Sequence, residues 1–434
     1  MTDTASQRNT RDAQDITWLR NATLPDGRLV NVSIDHVTGT IADVVDRHRT
    51  GSRSPGPKSP PAPGALEIDL TGYLLVPAPA EPHAHLDKAL TSQKVPNRRG
   101  DLMGAIEAWI DFIPHITKAG MIERARRAAL ELVASGATAV RSHANVHDGI
   151  GTDAVEALLT VRNELTRVLD LQIVALVGGP LGGEEGANNR AMLRDALRMD
   201  PSIIVGGCPH IDSDPFGASD ASLEAAAEFG RAIDLHTDET LDPSHLELRY
   251  LAERVRITEF PYSAAASHCV SLGVQPIDVQ RAVAEEVAAA NVAVITLPQT
   301  NLFLQGREHA VSPPRGLTAL RPLLKAGVVV GAGADNVRDP FNSMGRSDPL
   351  ETAALLVMAG HLSPDEAFHA VTNGARIAMR LPVVRVEPGS PAELVAVLGT
   401  SIEDAIARAD QQRMVWHRGR LVSSTTVVRR VDLS

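Results

Sequence analysis

The sequence predicts a (β/α)8 TIM barrel with a small β-sandwich domain formed by both termini. Three observations lead there. From Leu74 onward, short apolar runs alternate with helix-length amphipathic segments through eight repeats. Outside that region the chain turns to short β-like runs separated by Gly and Pro turns. The length of 434 residues suits one barrel with a minor domain.

The first of the eight runs is Leu74–Ala78, which leads into EPHAHLDK. The others are Ala137–His143, Leu171–Val177, Ser202–Cys208, Ala232–His236, Tyr262–His268, Val292–Leu297 and Val328–Asp335. Between them, MIERARRAALELVASG, TDAVEALLTVRNELTRVL, ASLEAAAEFGR and PIDVQRAVAEEVAAAN carry apolar residues at helical spacing. An open doubly wound sheet is the alternative, but no GxGxxG follows the first strand. The expected barrel spans 73–378. Residues 1–72 and 379–434 are the two parts of the β-sandwich domain. Within the first part, residues 1–14 read as disordered and HRTGSRSPGPKSPPAPGA as a flexible loop. The tail, with EPGSPAELVAVL and RMVWHRGRLVSSTTVVRR, returns to a β-pattern and is expected to pair with ITWLRNA, RLVNVSI and IADVV.

Composition narrows the function classes. Hydrophobic residues make up 44% but aromatics only 3%, so Ala, Val and Leu must fill the core. A net charge of −11 argues against a nucleic-acid partner, which would need a basic footprint. Two cysteines, Cys208 and Cys269, cannot build a disulfide framework and fit a reducing compartment. There is neither a signal-peptide pattern nor an apolar stretch of membrane-spanning length, so no membrane partner and a cytoplasmic location are expected.

The chemistry gathers at strand ends. His83 and His85 are spaced i, i+2, which on an extended backbone turns both imidazoles to one side. His236 stands at the tip of the fifth run with Glu239 just beyond, His268 at the tip of the sixth, and Asp335 at the tip of the eighth. A barrel brings carboxyl ends of strands together. His83, His85, His236 and Asp335 would then offer a divalent metal three nitrogens and one carboxylate oxygen. His143 and Asn145, on the second strand, are expected to support that metal site from behind. His210, after the fourth strand, is a candidate for lining the pocket.

The ordered set EPHAHLD, RSHANV, LDLQIVAL, DLHTDE, SHCVSL, NLFLQGR, KAGVVVGAGADNVRDP and EPGSPAELV resembles the amidohydrolase superfamily, in its cytosine deaminase-like branch. That resemblance covers nearly the whole chain. It implies metal-dependent hydrolysis of C–N bonds other than peptide bonds, foremost deamination of an amino-substituted nitrogen heterocycle. The four metal ligands it implies are those just named. Glu239 corresponds to the carboxyl that moves a proton to a ring nitrogen, His268 to the residue that orients the attacking water, and Asp335 to the group that takes its proton. The fourth run, SIIVGGCPH, lacks the lysine that bridges two metals in binuclear relatives, so one zinc or iron ion per chain is expected. Relatives commonly assemble, and a homo-oligomer is expected.

The departures from that branch concern substrate. Where a glutamine usually follows the third strand, this chain has Gly178 and Gly179. Asn336 replaces a second aspartate, and Phe341 stands at a tryptophan position. Lys88 in HLDK is similar to N-isopropylammelide isopropylaminohydrolase. The alternative functions are therefore hydrolysis of an N-alkylamine or cyclic amide, and, less favoured, a non-catalytic metal-binding homologue.

Overall fold

The computed structural model describes residues 15–47 and 66–432, which divide into two compact units. One holds residues 79–383; the other joins the segments up to 78 and from 384 onward. The stretches read as a disordered start and a Pro/Gly/Ser-rich loop, 1–14 and 48–65, lie outside the described residues.

The terminal unit is built from β1 (Ile16–Thr23), β2 (Leu29–Asp35), β3 (Thr40–Asp46), β4 (Leu66–Asp69) and β5 (Tyr73–Pro77) of the N-terminal segment. In the larger unit, eight strands follow: β6 (Ala80–Ala84), β7 (Ala139–Val146), β8 (Asp170–Val177), β9 (Ile204–Gly207), β10 (Ile233–Thr237), β11 (Ala264–His268), β12 (Ala293–Thr296) and β13 (Val330–Ala332). The chain then returns to the terminal unit with β14 (Leu394–Leu398), β15 (Arg413–His417) and β16 (Arg420–Ser424).

Strands β6 to β13 pair in sequence order, all parallel, with helices between them. A parallel bridge between Ala84 and Asp335 joins the first strand to the segment after the last and closes the barrel. Small residues face the strands from the surrounding helices. The helix Lys118–Ala134, for instance, buries Ala125, Ala128, Ala129, Leu132 and Val133. Alanine and aliphatic side chains thus fill the space in a barrel poor in aromatics.

The seam carries its own polar staple. Glu81, wholly buried in β6, accepts from His83 N at 3.2 Å and from Ala334 N at 2.9 Å. Its carboxyl stands where a side chain at position 333 would go: a Cβ on Gly333 would lie 2.0 Å from Glu81 Oε1. Gly333 is thus glycine for space. Burial pushes the Glu81 carboxyl up to about 8.

One expectation is corrected here. Leu74–Ala78 is not the first barrel strand. Its residues form β5, which pairs antiparallel with β14, Leu75 opposite Ala396. Pro77 and Pro79 bracket a break, because proline has no N–H for a ladder. The barrel strand begins after Pro79, in the five residues AEPHA, all buried despite their polar look.

In the terminal unit the strand order is β16-β15-β14-β5-β1-β2-β3, with β4 beside β1. β1 runs parallel to β4 and β5, while the remaining pairs are antiparallel. This sheet folds over one core to which both ends of the chain contribute, including Leu19, Val32, Ile34, Leu75, Leu394 and Trp416. The start of β3 meets the approach to β14, with Ile41 N donating to Ser390 O at 2.9 Å.

Glu81→Ala should leave two buried backbone N–H groups without their acceptor. We expect it to destabilise the barrel by about 2–6 kcal/mol, while Glu81→Gln, which keeps one carbonyl acceptor, costs less. Denaturant unfolding of the two variants checks this; equal stability of all three proteins would count against the staple.

Candidate active site

Four side chains converge at the carboxyl ends of the strands. His83 lies in β6 and His85 follows it, so the alternation of the extended chain turns both rings to the same point. His236 comes from β10. The three Nε2 atoms stand 3.3 Å (83 to 85), 3.1 Å (83 to 236) and 3.2 Å (85 to 236) apart. Asp335 Oδ1 lies 3.3 Å from His85 Nε2 and 3.7 Å from His83 Nε2.

These distances and the state of the atoms test whether a metal fits. Ligands at about 2.0–2.1 Å from a tetrahedral ion are separated by roughly 3.3–3.4 Å, close to the spacing found. Burial, and then the neighbouring charges, holds all three imidazoles well below their usual pKa, so they are neutral and carry lone pairs. Burial, reinforced by Glu239 and Asp339, drives the Asp335 carboxyl well above its ordinary range. Neither Asp335 oxygen has a hydrogen-bond partner among the described residues. A buried carboxyl with both oxygens unpartnered, facing three nitrogen lone pairs, suits a cation.

A chain of polar contacts sets the His83 tautomer. Arg141 Nη1 donates to Asp234 Oδ2 at 2.6 Å inside the barrel. Burial raises the Asp234 pKa and the Arg141 guanidinium opposes the rise. Ser267 Oγ donates to Asp234 Oδ1 at 3.0 Å, so its one hydrogen is committed. At 2.8 Å from His83 Nδ1, Ser267 must accept, which puts the imidazole hydrogen on Nδ1 and leaves Nε2 free. Arg141 Nε in turn donates to Gln172 Oε1 at 2.9 Å.

Glu239 and His268 face the cluster. Burial pushes the Glu239 carboxyl up to about 8 against the pull of Lys88. His268 Nδ1 accepts from Asn301 Nδ2 at 3.1 Å, with Glu239 Oε1 3.4 Å away; its Nε2 lies 3.9 Å from Asp335 Oδ2. Gln305 Nε2 donates to the Glu239 carbonyl at 3.1 Å. Asp238, His268 and Asp335 all have φ between +54° and +69°, left-handed backbone at non-glycine residues, where strain is often held at functional sites.

The cavity in front encloses 860 Å³, counting its open mouth. His85, His236, Glu239, His268 and Asp335 form its floor, and Lys88, Asn145, Gly178, Gly179, Asn336 and Phe341 its sides. Lys88, itself buried, donates from Nζ to Asn145 Oδ1 at 3.1 Å and lies 4.8 Å from the Phe341 ring centroid. Asn145 therefore holds Lys88 rather than a candidate metal ligand. His143 stacks on His83 with ring centroids 3.9 Å apart; neither of its nitrogens has a hydrogen-bond partner among the described residues. The Asn336 amide is taken up by Asp339 Oδ2 at 2.8 Å and Thr300 Oγ1 at 3.3 Å. Cys208 also lines the cavity, but burial pushes its thiol up to about 12, so it remains protonated.

Sequence reasoning missed Arg141, Asp234, Ser267, Glu81 and Asn301, and it missed a whole wall. The helix Leu102–Phe112, capped by Asp101 accepting from Gly104 N, presents Leu102, Ile106, Trp109 and Ile110 to the cavity, with Ile113 after it. Their spacing was a readable signal. So were Arg141 and Asp234, charges inside strand-like runs that must find partners when buried.

Fold and site together define a barrel hydrolase with its chemistry at the carboxyl ends of the strands. The family model of the amidohydrolase family matches residues 113–423, and the chain belongs to that family. It is 31% identical over 374 residues to a pterin deaminase from Rhizobium rhizogenes, covering 83% of each chain. It is 23% identical to an N-isopropylammelide isopropyl amidohydrolase from Pseudomonas sp. (strain ADP), over 83% of this chain and 89% of that one. Among solved structures, 5-methylcytosine deaminase from Klebsiella pneumoniae liganded with 5-fluorocytosine superposes with a TM-score of 0.82 at 26% identity, over 96% of this chain and 99% of that one.

Arg141→Ala should leave the Asp234 carboxylate buried and uncompensated. The expected cost is about 3–5 kcal/mol, read by denaturant unfolding. A change below about 1 kcal/mol would show that Asp234 does not depend on Arg141 for compensation.

Proposed function

We propose that the chain catalyses hydrolytic deamination of an amino-substituted nitrogen heterocycle, replacing C–NH2 by C=O and releasing ammonia. The observation that carries the reading is Glu239, a carboxyl kept protonated near neutral pH by burial and set beside the donor cluster. Water adding to an amine-bearing ring carbon needs a proton delivered to the adjacent ring nitrogen, and Glu239 is placed to deliver it. His83, His85, His236 and Asp335 would hold one divalent ion, zinc or iron, a donor set that suits either. Such an ion lowers the pKa of a coordinated water toward ~7 and supplies the nucleophile at neutral pH.

The chain's own groups do the rest. Asp335, which a bound cation would keep ionised despite its burial, accepts the proton of the attacking water, and His268, fixed through Asn301, holds the water's oxygen during addition. Glu239 protonates the ring nitrogen, the proton gathered at Asp335 leaves with the amine as ammonia, and the proton of the added hydroxyl returns to Glu239 as C=O forms. Lys88, directed by Asn145, meets an oxo or anionic edge of the substrate. The names of the pterin deaminase and 5-methylcytosine deaminase relatives support this reaction class.

A second reading, hydrolysis of an N-alkylamine or cyclic amide, is favoured by the apolar wall from the helix Leu102–Phe112, which would accept an alkyl group. Assays on aminopyrimidines, pterins and N-alkyl triazines separate the two by their product, ammonia or alkylamine.

Glu239→Gln should retain the ion and lose about 10²–10⁴-fold in ammonia release. His236→Ala should lose both. Elemental analysis of the purified protein is expected to give one equivalent per chain, and two equivalents would sink the mononuclear assignment.

Ser267→Ala removes the acceptor that fixes the His83 ring. We expect divalent-ion affinity to fall by about 10–100-fold with the fold intact. Competition with a chromogenic chelator measures it; unchanged affinity would remove Ser267 from the site.

A further inference from the structure

Part of the cavity is not used by the chemistry above. It lies where the loop after β8 meets the turn after β9. Asp212 ties the two together: Oδ2 accepts from Leu181 N at 2.6 Å and Gly182 N at 3.3 Å, while Oδ1 accepts from Asp214 N at 3.0 Å.

Two residues there have properties that nothing in the fold demands. The first is His210, in the turn Pro209–Ile211, only 8% exposed. Its Nδ1 stands 3.1 Å from the His236 carbonyl oxygen, which can only accept, so Nδ1 carries the hydrogen. Nε2 of the neutral ring then offers a lone pair, yet it is buried in a cavity-lining residue and has no hydrogen-bond partner among the described residues. The second is Gly178. Its neighbour Gly179 has φ of +98° and needs to be glycine, whereas Gly178 has no left-handed φ. A Cβ built on Gly178 would meet nothing within 4 Å. Its missing side chain leaves volume, not conformational freedom.

We propose that His210 and Gly178 form a second-ring subsite, so that the preferred substrate is a fused two-ring aminoheterocycle presenting an N–H to His210 Nε2. The proposal rests on the deaminase reading of the preceding section and names its substrate class. Leu176 and Ile211, close in the chain to Gly178 and His210, line the cavity together with Trp109, and such a lining suits a flat apolar ring face. An alkyl substituent would fill the same volume but leave Nε2 unpaired. A one-ring substrate would leave the space over Gly178 unfilled. A site built around a hydrogen bond rejects analogues that lack it far more strongly than one built on shape alone.

Calorimetric titration of the metal-replete enzyme with lumazine and uracil, two-ring and one-ring deaminated probes, reads the subsite directly. Lumazine should bind at least about tenfold tighter than uracil. Gly178→Gln, which the open space accommodates, should lower that ratio about tenfold, with Gly178→Ala intermediate. Among N-methylated lumazines, at least one should bind about tenfold or more weaker than lumazine. His210→Phe should abolish that penalty, and His210→Gln, which keeps an acceptor, should retain it. Equal affinity for the two probes, a ratio unmoved by Gly178→Gln, or a methylation penalty that survives His210→Phe would each overturn the proposal. Each readout is a ratio within one variant, so a general loss of folded protein does not mimic it. Ammonia release from pterin and from cytosine is scored separately. Absence of ammonia with the lumazine preference intact sinks the deaminase reading and leaves the subsite standing; ammonia without the preference does the converse.

Discussion

Three imidazole nitrogens stand 3.1–3.3 Å apart, with an unpartnered carboxyl oxygen of Asp335 3.3 Å from His85 and 3.7 Å from His83, and the barrel has to hold them there. The path from Arg141 through Asp234 and Ser267 to His83 is how it does so. An ion pair placed in the barrel interior dictates which way a serine hydroxyl turns, and the hydroxyl dictates which imidazole nitrogen carries hydrogen. Such buried pairs contribute little net stability, because desolvation offsets most of the Coulomb gain. Their value here is directional. Glu81 plays a parallel part at the seam, where it fixes the His83 backbone and the segment leading to Asp335 with one carboxyl group. Two donors of the cluster, one from each end of the barrel's strand order, are thereby registered against each other.

Much of this was legible in the sequence, and the reasons for success and failure differ. Repeated strand and helix patterns identify the barrel because each unit must bury one face. The HxH pair, His236, His268 and Asp335 were expected at strand ends, where a barrel puts chemistry, and the structure brings them to one place. Leu74–Ala78 misled because apolar content measures burial and not the partner: the middle of β5 is buried like a barrel strand, but in the other unit, where Leu75 joins the core. The true first strand carries Glu81 and His83, so it looks polar while lying entirely inside. Asn145 was placed behind the metal site from its position on β7, whereas the orientation of a side chain depends on its neighbour, here Lys88.

The donor cluster and the cavity walls answer different questions. In the proposed reading His83, His85, His236 and Asp335 serve the hydrolytic chemistry. The walls specify what is hydrolysed, and they come from elements with little in common: a helix between β6 and β7, a glycine after β8, a histidine in a turn after β9, and Phe341 after β13. Loops on a rigid barrel can vary independently in this way. The split explains why resemblance gives the reaction class more readily than the substrate.

Backbone strain marks the boundary between the two. Asp238, His268, Cys269 and Asp335 leave their strands in left-handed conformation without being glycine. The turns after β10 and β11 are held to each other: Cys269 N donates to Thr237 O at 2.8 Å, and Val270 N to Asp238 O at 2.9 Å. Strain persists only where the surroundings over-determine it. Here the parallel ladder of β10 and β11 supplies that constraint, pairing His236 with Ser267 and Thr237 with His268. The same register sets the candidate ligand beside the hydroxyl that orients its neighbour, and it turns His268 toward Asp335. Strand pairing, a property of the fold, therefore does the positioning, and the sharp turns after the strands let Glu239 and His268 reach the cavity without lengthening any loop.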